Sequence, residues 1–577
     1  MTYPSRVRDI QLGQDTVFDA WFYSMLMDNN LAYTLNPHLI ASQEQLEFMV
    51  QLEKGQIYLP CSDTSFRMLC DKKNAKELQQ QYNRAWRIIV SITKHCISDA
   101  IIRRRLFQFL RLRFQQYTAQ KTLLPSRLVK RMTDLITQQA FGTISDPWIE
   151  PRRMARTKHE ALYLSKEIQE ALDAVVHHKL PPSIAGIRQD LNGLELVRLF
   201  ALTLLAPQWA DEPPSSDTVR AAFAQAENRA GSLPALFTES GKKQATILVL
   251  ADPDGSTFFE LRILRALRRM GNKLIYAVKK NYYFMAPTIA DVQEDPIFAK
   301  YCKDAQILEQ NDVSKNELLK ELKAHKFIII SDGTRERLNL YRVSVTFARA
   351  WKEADCILAH GWRAKDIFLD TSHEFTRDIV CFWHDSDGFH IVKKEHSAKS
   401  HKFSEQDISD RAKEIIATMR DAHRAKKTVM FFSCIIGSIP GETALAISLA
   451  TVFVDDLRKK LENVLIINPA EYFVPGMDGD DLMYMWERVQ RSGEIDIWRF
   501  QSSEDIEQSF ALLGRKVPPI WSGKDSTYST GCTKEMKIAL DVQNKNPEMQ
   551  IIGPDPKRFF RRGEYGVGKY FDAHIRR

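Results

Sequence analysis

The 577-residue sequence has no uninterrupted apolar run of 18 residues, so no membrane-spanning helix and no membrane partner are expected. Glycine and proline are scarce, at 24 and 23 residues. That excludes collagen-like and Pro/Gly-rich disordered classes. The opening residues, MTYPSRVRDIQLGQD, have basic residues with no apolar stretch behind them. A secretory signal needs that stretch, so none is expected. Cysteine is sparse: Cys61, Cys70, Cys96, Cys302, Cys356, Cys381, Cys434 and Cys532. None form CxxC, and no Cys/His cluster has zinc-finger spacing. Reduced thiols and a cytoplasmic location are the expectation. Only a zinc site assembled from distant ligands stays open. No internal repeat of about 20–50 residues is visible.

Charge is present, and it is uneven. The formal net charge is +8. Between Gln80 and Arg131 stand twelve Lys/Arg and a single acid, Asp99, so that stretch carries +11 and the remainder about −3. An electrostatic partner should therefore meet the N-terminal third. Hydrophobic residues make up 44% and charged residues 27%, as in globular chains. The length suits roughly three to five domains and more than one core.

The fold class expected is α/β, in three parts. Residues 1–180 read as a helical N-terminal region. LIASQEQLEFMVQLEKG, LQQQYNRAWRIIVSITKHCISDAIIRRRLFQFLRLRFQQYTAQ and TKHEALYLSKEIQEALDAVVHH all show helical spacing. Ile88, Ile92, Cys96 and Ala100 form one i, i+4 row, and Leu106, Leu110 and Phe114 another. Pro125 should stop or restart a helix. Residues 181–400 begin with an apolar helix, LNGLELVRLFALTLLAP. Loop-like WADEPPSSDTV and RAGSLPALFTESGKK follow. ATILVLAD, KLIYAVKK, KFIIISDG, ADCILAHG and RDIVCFWHD then read as strands alternating with helices, a mostly parallel sheet. A polar helical connector covers about 395–427. Residues 428–577 repeat the alternation with TVMFFS, ENVLIINPAEYF, IDIWRFQ and EMQIIGP as strands.

Ligands of parallel sheets gather at the C-terminal ends of strands, so those ends hold the candidate residues. Asp252-Pro253-Asp254-Gly255 ends the first strand. Its carboxylates beside a helix start can hold a hard divalent cation, or simply cap the helix. Gly255 permits close approach of a ligand. Asp332, in Ser331-Asp332-Gly333-Thr334, can complete that site or form a plain turn. Lys279, His360 and Arg363 can neutralise phosphate oxygens or belong to solvated loops.

In the last part, Gly437-Ser438-Ile439-Pro440-Gly441-Glu442-Thr443 lies between strand and helix. Glu442 stands where a phosphate loop needs a lysine, which argues against a nucleotide loop of that type and leaves open an anion or polar metabolite at the helix start. The run Gly523–Thr533 is dense in hydroxyls. It can cradle an anion, or place Cys532 as a nucleophile at a helix start. A structured turn with a helix cap is the simpler alternative. Finally, Arg103-Arg104-Arg105, Arg111 and Arg113, interleaved with Phe107, Phe109 and Phe114, suit nucleic acid. A solvated amphipathic helix is the commoner meaning of such a run.

Residues 245–394 resemble the damage-control phosphatase family, of the protein-glutamate O-methyltransferase-like acidic residue protein type. The resemblance lies in ILVLADPDGSTFFELRILRALRRMGNKLIYAVKKNYYFMAPTIADV and in ADCILAHGWRAKDIF, in their order and spacing. That family's signature is a strand ending in Asp-Asn-Ala-Gly-Glu, then a helix, then a strand ending near a Lys and an Asn-Asp-x-Thr. A later strand ends in Lys-Gly-x-x-Asn. The resemblance implies a divalent metal (Mn, Ni, Co or Mg) and hydrolysis of small phosphorylated metabolites. Asp252 matches the first metal ligand. Pro253 replaces the Asn, Ala286-Pro287-Thr288 replaces Asn-Asp-x, and His360 replaces the Lys. The expected set is therefore Asp252, Asp254 and Asp332 for the metal, Lys279 and His360 for catalysis, and Gly255 and Arg363 for the substrate. The lost ligands leave two alternatives to a phosphatase: a ligand-binding or scaffold protein without turnover, and a nucleic-acid-associated protein acting through the basic helix.

Overall fold

The computed structural model describes residues 4–31, 46, 49–50, 52, 57–139, 145–174, 183–231, 237, 244–397, 402–472 and 477–560. The helix expected in LIASQEQLEFMVQLEKG lies largely outside them, as do most of RAGSLPALFTESGKK, the end of TKHEALYLSKEIQEALDAVVHH and the tail from 561 on. The chain forms two compact units, residues 1–35 with 56–397, and residues 36–55 with 398–577. No described helix is long and apolar enough to cross a membrane. All eight cysteines are free thiols.

The first unit opens with helices. The long basic run is not one helix but two, Ala75–Cys96 and Ala100–Ala119. Asp99 makes the break: its carboxylate accepts from the N–H groups of Ile101 and Ile102, each at 2.8 Å. That satisfies donors which an uncapped helix start leaves open. In the first of these helices the buried row is Tyr82, Ala85, Ile89 and Ile92, whereas Ile88 is 41% exposed. Of the expected row, Ile92 is buried and Cys96 half-buried while Ile88 and Ala100 are exposed, because burial follows the 3.6-residue stripe and not a strict step of four. Leu106 and Leu110 are buried as their row suggests. Tyr82, Ile89, Leu110, Leu128 and Met132 share a core that also takes in Tyr282, Tyr283 and Phe284. A loop of the sheet domain is thereby held by the N-terminal helices.

The sheet of this unit has seven strands: β1 (Thr246–Leu250), β2 (Lys273–Val278), β3 (Gln306–Leu308), β4 (Phe327–Ser331), β5 (Cys356–His360), β6 (Asp378–Asp385) and β7 (Gly388–Lys394). Their order is β3-β4-β2-β1-β5-β6-β7. All pairs are parallel except β6 with β7. Buried on both faces, the central strands are near-continuous apolar runs. The helix Ile184–Trp209 packs on the helices Ser216–Ala230 and Thr257–Arg269, and its Phe200 stacks on Phe382 of β6 at 4.2 Å. After β1 the chain moves to one side of the sheet, and it returns at β5 to the other. The crevice at that reversal, above the carboxyl ends of β1 and β5, is where open α/β sheets bind ligands.

The second unit has a four-stranded parallel sheet, β8 (Thr428–Ser433), β9 (Val464–Ile467), β10 (Ile497–Phe500) and β11 (Gln550–Ile552), in the order β11-β10-β8-β9. All four expected strands are present. Trp498 of β10 is fully buried, and its indole N–H donates to Ser433 Oγ at 2.9 Å. A buried indole needs such a partner. Both units together make the α/β architecture with a helical N-terminal region.

Candidate functional site

In the first unit, Asp332, Lys279, Asp252 and His360 follow or end β4, β2, β1 and β5. These strands are neighbours in that order. Acids and bases therefore alternate along the C-terminal edge of the sheet, one strand spacing of about 4.8 Å apart. All four are at least nine-tenths buried and line one cavity, together with Arg363, Tyr283, Arg337 and Phe368. Asp252 lines this cavity, whereas Asp254, whose side chain is 33% exposed, lies outside the lining and touches it through Arg363.

Most of the expected residues have defined partners. Asp252 closes a turn by accepting from the backbone N–H of Asp254 at 2.8 Å. Asp332 does the same for Thr334 N–H at 2.8 Å. Both motifs are Asx turns, which carboxylates make readily at strand ends. Lys279 Nζ donates to Asp332 Oδ2 at 2.6 Å, to Thr334 Oγ1 at 3.1 Å and to the Glu336 carbonyl at 2.8 Å. Arg363 Nη1 donates to Asp254 Oδ1. The Arg363 guanidinium lies over Phe284 at 4.7 Å and over Trp362 at 4.9 Å, so its plane is fixed. Gly255, at φ +93°, faces Met285, whose Cε would stand 3.2 Å from an added Cβ. The glycine accommodates packing there.

Glu260 is a member of this site that sequence reasoning missed. From the helix Thr257–Arg269 it accepts from Asp252 N–H at 3.0 Å and from the Tyr276 hydroxyl, and it pairs with His360 Nε2 at 2.8 Å. A signal existed. Glu260, Ile263, Leu264 and Leu267 share the helical stripe that faces inward, so an acid stood on an apolar face. Burial pulls the His360 pKa down, but the hydrogen bond to Glu260 and the charges of Asp252, Glu260 and Asp254 outweigh it and hold it above the ordinary value. For Asp252, burial and then the charge of Asp254 push the carboxyl well above the usual range, only partly offset by His360 and Arg363. His360 thus favours its charged form and Asp252 its neutral form. Tyr283 and Arg337 also went unread. Arg337, which donates to Asp366 and to the Pro60 carbonyl at 2.6 Å, sits in a loop with no periodic signal.

The three carboxylates expected to hold a divalent metal do not form one ligand set. β2 lies between β1 and β4, so Asp252 and Asp332 end strands two spacings apart, about 9–10 Å, with Lys279 between them. Asp332 spends its oxygens on Lys279 and Thr334. Asp254 is held by Arg363. Among the described residues no group of three or more His, Cys, Asp or Glu is placed to hold a metal. Lys279 and Arg363 are the partners of Asp332 and Asp254.

Gly361 shows how tightly the Asp252 and Asp254 carboxylates converge. Its φ is +80°, and a Cβ there would lie 3.1 Å from Asp252 Oδ1 and 3.2 Å from Asp254 Oδ2. Gly361→Ala should lower stability by about 1–3 kcal/mol, through backbone strain and displacement of these oxygens. A urea unfolding curve reads this directly, and an unchanged midpoint would refute it.

No protein-family sequence profile matches the chain, and no curated protein matches it. Among solved structures it is similar to the crystal structure of a DUF89 family protein from Pyrococcus horikoshii. Identity is 17%, the match covers 53% of this chain and 89% of that one, and the TM-score is 0.35. The reading of the site rests on its residues.

In the second unit, Glu442 accepts from the Trp521 indole N–H at 3.0 Å, which accounts for the acid in the glycine loop. In the Gly523–Thr533 run, Ser529 caps the helix Thr530–Lys545, accepting from Cys532 N–H at 3.3 Å. Cys532 is 1% exposed and its thiol donates to the Cys434 carbonyl at 3.3 Å. The helix cap accounts for Ser529, and Thr527 is held by Asp525.

Proposed function

We propose that the first unit binds a small phosphorylated metabolite in this cavity without hydrolysing it. One observation carries the reading. Arg363 gives a single donor to Asp254, while its Nε is buried with no partner among the described residues. An arginine has five N–H donors in a planar fork that matches phosphate. Phe284 and Trp362 hold that fork in place, and Lys279 and His360 add positive charge deeper in the same wall. Hydroxyls of the ligand would meet Asp252. The commitment of Asp332 to Lys279, and of Asp254 to Arg363, supports binding over metal-dependent turnover.

Calorimetric titration of the full chain with hexose and pentose phosphates, beside the unphosphorylated sugars, tests this. The phosphorylated compounds should bind more tightly, and Arg363→Met should weaken them at least about tenfold, the worth of one charge-assisted contact. Equal binding of sugar and sugar phosphate would end the proposal. So would release of phosphate that requires Mn, Ni, Co or Mg and is lost in Asp332→Asn.

A further inference from the structure

The basic residues of the N-terminal helices are divided in an informative way. Those on the helix Pro125–Gln139 have acidic partners: Arg127 with Glu336 at 2.6 Å, Lys130 with Asp134 at 2.6 Å and Arg131 with Asp28 at 3.8 Å. Those on the two preceding helices do not. Arg84, Arg87, Lys94, Arg104, Arg105, Arg111 and Arg113 are all exposed. Among the described residues, none of these seven makes an ion pair. The side-chain hydrogen bond recorded for this group is Arg113 to Gln116 at 3.1 Å. The two helices pack against each other, and between Lys76 and Lys121 the acids are Glu77 and Asp99 alone. Unpaired like charges in one region repel one another and favour a polyanion.

The polar residues recur in helical rows. Arg84, Arg87, Ser91 and Lys94 follow one exposed row, and Arg104, Gln108, Arg111 and Gln115 another. At about 1.5 Å per residue, the cations of these rows span about 15 Å and about 10 Å, enough to reach several phosphates of one strand. Four of the aromatic residues are engaged with protein neighbours, Phe109 among them with the Arg113 guanidinium 5.4 Å over its ring. Trp86 packs on Phe114 at 5.0 Å, and Phe109, Phe114 and Tyr117 lie against the helical core. Stacking platforms for unpaired bases are therefore not offered, and single-strand recognition depends on them. Exposed large apolar residues are Ile88 on the first helix, and on the second Ile101 and Ile102 at one end and Leu112 near the other, with Arg105 and Gln108 between. They form no continuous stripe for a bilayer.

We infer that these two helices bind the phosphodiester backbone of a nucleic-acid duplex, without reading its sequence. The inference is independent of the cavity described above.

The test is fluorescence anisotropy of the full chain with a labelled 20-base-pair DNA duplex and the same duplex in RNA, from 50 to 200 mM salt. Co-sedimentation with phosphatidylserine–phosphatidylcholine vesicles runs beside it. Binding of at least one duplex should weaken steeply with salt. Arg104→Glu with Arg111→Glu should weaken it at least tenfold at 50 mM salt and reduce the log–log salt slope by about 2. Arg188→Glu, an exposed cation elsewhere in the same unit, should leave binding unchanged. Circular dichroism confirms that both variants are folded. Absence of duplex binding at 50 mM salt would overturn the inference. So would equal loss in the Arg188 variant, or vesicle binding that the double reversal abolishes while duplex binding persists.

Discussion

Glu260→Ala should lower the stability of the protein by about 3–5 kcal/mol, the cost of leaving a buried charge without its partner. Glu260 is 0% exposed and holds Asp252 N–H, the Tyr276 hydroxyl and His360. Removing it strands all three, and His360, stacked on Phe382 at 5.1 Å and 4% exposed, loses its carboxylate partner. The measurement is the urea midpoint by far-UV circular dichroism. A loss below about 1 kcal/mol, the scale of a surface change, would show that the pair contributes little. A pH dependence accompanies it. The His360 pKa is raised in the folded protein. Its contribution to stability is therefore complete below the ordinary value of about 6.5 and is lost as pH rises through the higher folded value. Glu260→Gln keeps the shape and removes the charge, so the decline of stability above about pH 6.5 should flatten.

The second large effect concerns Lys279 and Asp332. Asp332→Ala alone should cost about 3–5 kcal/mol, because Lys279 remains buried at 6% exposure with its charge uncompensated. Lys279→Met combined with Asp332→Leu should recover much of that loss, since apolar groups of similar size often replace a buried ion pair without penalty. A double-mutant cycle should give a coupling of about 2 kcal/mol or more. If the double variant is as unstable as the sum of the two single ones, the pair is not acting as a unit.

These pairings explain what the sequence could and could not reveal. β1, β2 and β4 were legible because strands buried on both faces appear as unbroken apolar runs, as in FIIIS and TILVL. The residues at their ends were legible for the same reason. Their neighbours were not. In chain order the edge residues run Asp252, Lys279, Asp332, His360, but in space they run Asp332, Lys279, Asp252, His360. That permutation is why the three expected carboxylates are not grouped together among the described residues. β3 was illegible, being three half-buried residues. β7 had a signal that went unused: Asp-Gly within HDSDGFH, between two β-rich runs, marks a hairpin, and Asp385 does pair with Gly388. The division of the basic run at Asp99 was equally visible as a capping residue before an apolar pair.

The position of β1 has a kinetic consequence. It pairs with β2 through Thr246 and Lys273, and with β5 through Ile247 and Cys356. The second of these pairings closes a loop of more than a hundred residues before any contact rewards it. Such non-local pairing slows folding. As the chain is made, β1 must wait without its second neighbour until β5 has emerged, at about 5–20 residues per second. Throughout that interval the residues that will form the wall of the cavity belong to an unfinished, apolar edge. The first unit should therefore be the aggregation-prone stage of refolding, and co-translational delay, more than final stability, should limit its yield.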